Sequence, residues 1–217
     1  MSIPAFLSYS HKDRRLAGLT KECLDLYAFD TFLAHEDLQP SEEWQKIILT
    51  RLKECIVFLP LLTDAFTRSD WTDQETGIAV GLKKIIVPLK VKRNPYGFIS
   101  KYQAQLLDRG TVEEACWKVV KRLAAKSKLA SSIRDGVIQV FGRSKSFEAA
   151  ADNARKLKIL EPFSNEQLNE IVRVSSRNNQ IYLGFDARRY VRGLIRPHKS
   201  HINAKQLREF LKLSSPG

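Results

Sequence analysis

The most constraining feature of the sequence is a central run that is apolar on both faces. Residues 56–62, IVFLPLL, contain no charged side chain. Such a run fits the middle of a parallel sheet, where helices cover both faces. Shorter strand patterns at residues 4–10, 30–34, 85–91 and 104–107 alternate with helical ones. This order predicts an α/β fold with an open, mostly parallel, five-stranded sheet and right-handed crossovers.

Apolar residues at helical spacing predict the helices that cover this sheet. Leu16 and Leu19 lie on the apolar face of the first helix, and Ala79 and Leu82 are predicted to point inward from the third. Pro88 interrupts the fourth strand, which predicts a sheet edge or a bulge at that position.

The charge of the chain changes sharply near residue 126. Residues 1–125 hold 18 basic and 16 acidic residues, a net charge of +2, whereas residues 126–217 hold 18 and 8, a net charge of +10. The pattern after residue 126 is of helices alone. We therefore predict an α/β domain over 1–125 and a small, basic, all-α domain over 126–217.

Several site classes lack their sequence signal. No Gly-x-Gly-x-x-Gly or Walker-type loop follows a predicted strand, so neither a Rossmann dinucleotide site nor a P-loop is supported. His198 and His201 lack a third ligand nearby, and we expect no metal site. Cys23, Cys55 and Cys116 form no Cys-x-x-Cys pair and are predicted to be buried, reduced thiols.

No apolar run approaches the roughly 20 residues that span a bilayer. The first four residues, MSIP, lack the basic and long apolar regions of a signal peptide. We expect a cytoplasmic protein without membrane contact.

Four short motifs carry a resemblance to a known family. They are FLSYSHKD at residues 6–13, DLQP at 37–40, WQKII at 44–48 and SDWTDQE at 69–75. In this order and spacing they resemble the TIR (Toll/interleukin-1 receptor) domain, from residue 4 to about residue 125. Ser41 stands where many members have Gly, and the loop lacks the Arg-Asp-Pro-Gly form that is typical of animal receptors. These departures favour a prokaryote-style TIR protein.

The resemblance implies a flavodoxin-like fold and two activities. Some TIR domains are scaffolds that act by TIR–TIR assembly, and others cleave NAD+ at the nicotinamide–ribose bond, in bacteria partly for anti-phage defence. In the catalytic members a glutamate follows the tryptophan by four residues, which here is Glu75. The resemblance therefore implies an NAD+ nucleosidase that makes ADP-ribose or a cyclic isomer and needs no cofactor beyond NAD+ as substrate. It also implies self-association through the loop at residues 36–41.

One carboxylate is sufficient for this reaction. Nicotinamide is bound as a cationic pyridinium and leaves as a neutral base, so no general acid is required, unlike in ordinary glycosidases. Glu75, predicted in the first turn of a helix, would stabilise the oxocarbenium-like ribosyl centre. The alternative is that Glu75 only complements the helix dipole, a role that Asp70 and Asp73 also fit. These two aspartates are the next catalytic candidates.

The cleft expected at the carboxyl ends of the strands adds further candidates. Those for substrate binding are Phe6, Ser8, Ser10, Asp37, Trp44 and Trp71. Ser8 and Ser10 would bind phosphate or ribose, or cap the next helix. Trp44 would stack on a base or belong to the core, and Phe6 would pack in the core with one edge on the cleft.

The basic domain has two interpretations. Arg188, Arg189, Arg192 and Arg196 form one helical stripe, which indicates nucleic acid or another acidic partner. The other interpretation is a solvated face on a domain for recognition or oligomerisation. Ser164, Asp186 and Asn203 are predicted to cap its helices, which together resemble no known family.

Overall fold

The structure is a computed structural model that describes residues 2–33, 42–107, 112–126 and 128–214. The chain folds as two compact units, Met1–Arg122 and Leu123–Gly217. No helix in the described ranges is both long and apolar enough to cross a bilayer.

The first unit is a parallel sheet with helices, as predicted. Its strands are β1 Ile3–Ser8, β2 Phe29–Leu33, β3 Val57–Leu62, β4 Ile85–Ile86, β5 Leu89–Lys90 and β6 Gln105–Leu106. Its helices are α1 Arg14–Asp25, α2 Glu42–Glu54, α3 Asp70–Gly81 and the larger part of α4 Val112–Lys126. All pairs are parallel, in the order β2-β1-β3-β5-β6, with β4 also on β3. The strand predicted at residues 85–91 is divided into β4 and β5. Counted as one strand, these two parts confirm the prediction of five strands.

The predicted interruption at Pro88 is a break inside the sheet. Phe58 pairs with Ile86 and Leu61 pairs with Leu89, so Pro60 of β3 lies opposite Pro88. Neither proline has an N–H to donate, and the pairing is interrupted between the pairs Phe58–Ile86 and Leu61–Leu89. Of the two alternatives predicted at Pro88, an edge and a bulge, the edge is wrong, because β6 pairs with β5 on the far side.

The core of the first unit lies between the sheet and its helices. Phe6 of β1 and Phe58 of β3 stack at its centre, with ring centroids 5.8 Å apart. Two predictions for the helices are wrong, because Leu19 and Leu82 are each 43% exposed. In α1 the buried face consists of Leu16, Ala17, Thr20, Cys23 and Leu24, which leaves Leu19 on its flank. Leu82 follows the last residue of α3, where the helical spacing no longer applies.

The three cysteines are buried and free, which confirms the prediction. Burial raises the pKa of the Cys55 thiol to about 11. A hydrogen bond with Cys23, together with burial, raises the pKa of Cys116 well above its usual range.

The second unit is helical. Its elements are α5 Ala130–Gly142, α6 Phe147–Ile159, α7 Asn165–Ser176, α8 Asn179–Tyr182, α9 Phe185–Ile195 and α10 Ala204–Leu213. α5 packs against α6 and α7, α6 packs against α9, and α7 packs against α10. A 3-10 segment, Arg196–His201, follows α9.

Most predicted helix starts in this unit are confirmed. Ser164 forms the capping box of α7, and the Asn203 side chain accepts hydrogen bonds at the start of α10. The prediction for Asp186 is wrong, because Gly184 holds the cap position of α9 and Asp186 lies in its first turn. A side chain at Gly184 would place Cβ 2.4 Å from the Gln180 carbonyl oxygen. Phe147 is 54% exposed at the first position of α6.

Candidate active site

A serine and a glutamate that lie 67 residues apart in the chain meet at the end of β1. The Ser8 hydroxyl donates a hydrogen bond to Glu75 Oε2 at 2.5 Å, and both side chains are buried. Ser8 is the last residue of β1, and Glu75 lies in the second turn of α3. The contact therefore sits at the carboxyl end of a central strand, where open α/β sheets bind their ligands.

The start of α3 is held by its own hydroxyl contacts. The buried Thr72 hydroxyl donates hydrogen bonds to the carbonyl oxygens of Phe66 at 2.7 Å and Ser69 at 2.8 Å. Thr72, Glu75 and Ala79 are the buried residues of the helix, and their spacing places them on one face. Packing of this face against the sheet carries the Glu75 carboxyl inward to Ser8.

Glu75 is only 1% exposed, and its environment changes its acidity. Burial raises the pKa of Glu75 to about 8, although the hydrogen bond from Ser8 acts in the opposite direction. Glu75 Oε1 has no hydrogen-bond partner among the described residues. The prediction that Glu75 lies in the first turn of α3 is wrong, because Glu75 lies in the second turn. A buried carboxyl in the second turn is not an exposed negative charge that complements the helix dipole. Asp70 and Asp73 occupy that first turn.

Glu75 lines a small pocket between α2 and α3. The pocket has a volume of about 170 Å³. Its lining residues are Gln45, Ile48, Leu49, Trp71, Gln74, Glu75 and Ile78. Apolar walls with a carboxyl and two amides suit a flat ring that carries polar groups.

The two tryptophans of the predicted site have different positions. Trp44 is buried in the core, and its ring meets that of Trp71 edge-on, with centroids 4.7 Å apart and planes at 82°. Trp71 is half-buried and lines the pocket. Of the two interpretations of Trp44, the structure corresponds to the core one, and Trp71 is the aromatic ring beside Glu75.

The remaining predicted residues are dispersed. Phe6 is wholly buried and shows no exposed edge, so the expected contact of its ring with a cleft is wrong in this structure. Ser10 precedes a short 3-10 turn but makes no side-chain capping bond, and Ser8 contacts Glu75 rather than a helix end. Asp37, like the rest of the segment at 34–41, lies outside the described residues.

Sequence reasoning missed several polar contacts around the site. Asp73 accepts a hydrogen bond from the Tyr96 hydroxyl at 2.5 Å, so this alternative carboxylate is already engaged. Asp13, from the first motif, accepts from the Thr63 hydroxyl at 2.6 Å and links the region after β1 to the region after β3. Gln74 was also missed, although its place beside Glu75 in the fourth motif was an available signal.

The four predicted arginines of the second unit differ in exposure and in surroundings. Arg192 is half-buried, and its Nη2 donates to the Leu211 carbonyl oxygen of α10 at 3.5 Å. Arg189 is exposed on the side of α9 that faces α6, where it lines a groove. Arg188 is half-buried, and Arg196 begins the 3-10 segment that follows α9.

Within the described ranges, no group of three His, Cys, Asp or Glu residues is arranged to hold a metal ion. His198 and His201 both lie in the 3-10 segment of the second unit.

Comparison with known proteins gives a family for the first unit. The family described as "TIR domain" matches residues 5–120. Among solved structures, the TIR domain of the Toll-related receptor TRR-2 from Hydra magnipapillata is similar to this chain. It is 16% identical, the match covers 56% of this chain and 97% of that domain, and the TM-score is 0.44. No curated protein matches the chain.

Proposed function

Because the chain belongs to the TIR domain family, we propose that its first unit cleaves NAD+ at the nicotinamide–ribose bond, with Glu75 as the catalytic carboxylate. One observation carries the proposal. A buried carboxyl, held on one oxygen by Ser8 and without a partner on the other among the described residues, lines a pocket at the carboxyl end of the central strands. Perturbed, partly unsatisfied carboxyls in such positions are typical of functional sites.

In the proposed reaction the N-glycosidic bond breaks, and its electron pair moves to the ring nitrogen. Nicotinamide then leaves as a neutral base, and positive charge develops at the ribose C1′. Water adds at C1′ and loses a proton to give ADP-ribose, whereas an adenine nitrogen adding there gives a cyclic isomer. The Glu75 carboxylate stabilises the developing charge, and Ser8 acts as a positioning residue that holds this carboxylate.

The substrate itself favours the ionised form of Glu75. With the pocket empty, the pKa of about 8 leaves most of the carboxyl protonated at neutral pH. A cationic pyridinium beside a carboxyl lowers its pKa, because opposite charges favour the charged form. The proposed mechanism therefore implies that turnover increases with pH up to the pKa of Glu75 in the complex.

The pocket fits one end of the dinucleotide. Its volume of about 170 Å³ is below the roughly 300–1,000 Å³ that is typical of sites for whole small molecules. We assign it to the nicotinamide–ribose end, with Trp71 against the ring, and the adenosine end lies outside it.

The test is incubation of the purified full chain with NAD+ at several protein concentrations, with products separated by chromatography. We expect Glu75→Gln to lower the rate by about 10²–10³-fold, the scale of one preorganised electrostatic contact. Glu22→Gln, which removes an exposed carboxylate from α1 of the same unit, is the matched control and should leave the rate within about twofold. Equal rates for the Glu75→Gln and wild-type proteins would refute the assignment of Glu75.

The second candidate function is a TIR scaffold without chemistry. The observation that favours it is that the carboxyl is buried and largely protonated beside a pocket smaller than the proposed substrate. A wild-type protein that is inert toward NAD+ at every concentration, but forms oligomers by light scattering, would support this function.

We also propose that the protein acts in cytoplasmic signalling or antiviral defence and is activated by self-association. This proposal rests on the resemblance to prokaryotic TIR proteins. Specific activity that increases with protein concentration would support it, and a constant value from a monomer would contradict it.

A further inference from the structure

The second unit contains a groove that is larger than the pocket beside Glu75. It lies between α6 and α9, extends to the 3-10 segment after α9, and has a volume of about 590 Å³. This volume falls within the roughly 300–1,000 Å³ of sites that hold small ligands. The groove is formed entirely by residues 151–198 of the described chain.

The walls of the groove carry positive charge on both sides. Arg155 and Lys158 project from α6, one turn apart, and Arg189 projects from α9 opposite them. Asp152 already forms an ion pair with Arg155. Within the described chain, neither Lys158 nor Arg189 has an ion-pair or hydrogen-bond partner. Two cations that face each other without partners are suited to phosphate oxygens.

Apart from Tyr190 and His198, the rest of the lining is apolar or accepts hydrogen bonds. The apolar part consists of Ala151, Ala154, Gly193, Leu194 and Pro197. Glu161 accepts a hydrogen bond from the Tyr190 hydroxyl at 3.0 Å, and Asp186 lies on the α9 side. A purely anionic ligand would be repelled by these two carboxylates. A ligand that also carries hydroxyl donors would use them.

We propose that this groove is a binding site for a nucleoside phosphate. Its phosphates contact Lys158 and Arg189, its base or sugar lies on the apolar floor, and its hydroxyls donate to Asp186 or Glu161. A small ligand fits better than a nucleic acid. The cations lie inside a concavity, and Arg192, which a continuous basic stripe would need, is directed to α10.

Two kinds of substitution separate a site in the groove from a general effect of charge. Lys158→Gln with Arg189→Gln removes both unpartnered cations of the described groove. Gly193→Leu keeps every charge and places a side chain into the groove, because Gly193 lines it and a Cβ there would meet no described atom within 4 Å. Lys145→Gln with Lys205→Gln removes two exposed lysines that do not line the groove, and this double variant is the matched control.

The experiment is calorimetric titration of the full chain with ADP, adenosine, inorganic phosphate and a short DNA duplex. We expect ADP to bind more tightly than adenosine or phosphate alone. We expect both groove variants to weaken ADP binding by at least about tenfold, the scale of one charge-assisted contact, and the control to stay within about twofold. No heat with millimolar ADP, equal loss in the control, or binding of DNA but not ADP would overturn the proposal.

Discussion

Replacing Glu75 by Gln should change how the stability of the first unit depends on pH. The substitution keeps the size of the side chain and an oxygen that can accept from Ser8, but it removes the titratable proton. In the wild type, the pKa of this buried carboxyl is raised from 4.5 to about 8. Between these two values the folded protein holds a proton that the unfolded chain has lost.

The sign and size of the effect follow from this difference. Because the folded state binds more protons, the free energy of unfolding decreases as pH rises, by about 1.4 kcal/mol per pH unit. The contribution of Glu75 is complete below pH 4.5 and is lost by pH 8, a total of up to about 5 kcal/mol. The Gln variant lacks this pH-dependent contribution. We therefore expect it to match the wild type near pH 4.5 and to be the more stable protein above neutrality.

Tryptophan fluorescence provides a direct assay. The three tryptophans of the chain, Trp44, Trp71 and Trp117, all lie in the first unit. Urea unfolding followed by this signal at several pH values gives the stability of that unit alone. Asp70→Asn, with its exposed side chain, is the control and should keep the wild-type slope. If the wild-type and Glu75→Gln profiles run parallel from pH 5 to pH 9, the carboxyl is not buried and protonated as described.

Two glycines provide further predictions of opposite sign. Gly18 lies inside α1 with open space around it, so Gly18→Ala should stabilise the first unit by about 0.5–1 kcal/mol, measured by urea unfolding with fluorescence. An unchanged midpoint would contradict this expectation. A Cβ at Gly142 would lie 2.7 Å from Val174 Cβ, so Gly142→Ala should destabilise the second unit by about 1–3 kcal/mol. Thermal unfolding by circular dichroism measures this effect, and a melting temperature equal to that of a Gly193→Ala control would argue against the close α5–α7 contact.

The fold of the first unit is predictable because its signals are local. The apolar run of β3 is too uniform for any position but the centre of a sheet, and the alternation with helices determines the parallel pairing. The four motifs indicated the family. Errors occurred at the flanks and ends of elements, as at Leu19 and Leu82, where burial depends on which neighbour covers the helix.

The environment of Glu75 was less predictable, because it depends on a contact across 67 residues. A charged residue close to two aspartates suggests an exposed helix start. The contrary signal was the spacing of Thr72, Glu75 and Ala79, which lie on one face, but a carboxyl on such a face is uncommon. The surroundings of the arginines in the second unit were difficult to predict for the same reason. Helical periodicity places them on one side of α9, but only the positions of α6 and α10 determine which of them become enclosed.

Because its native thiols are buried, this chain is suited to selective labelling at a single introduced cysteine. Maleimides and related reagents attack the thiolate, and burial together with the raised pKa of Cys55 and Cys116 keeps that form scarce at neutral pH. Cys23 is likewise buried. A single cysteine introduced on an exposed helix position would therefore react first. Dyes or spin labels can be attached there without first replacing the native cysteines, which leaves the packing of the first unit intact.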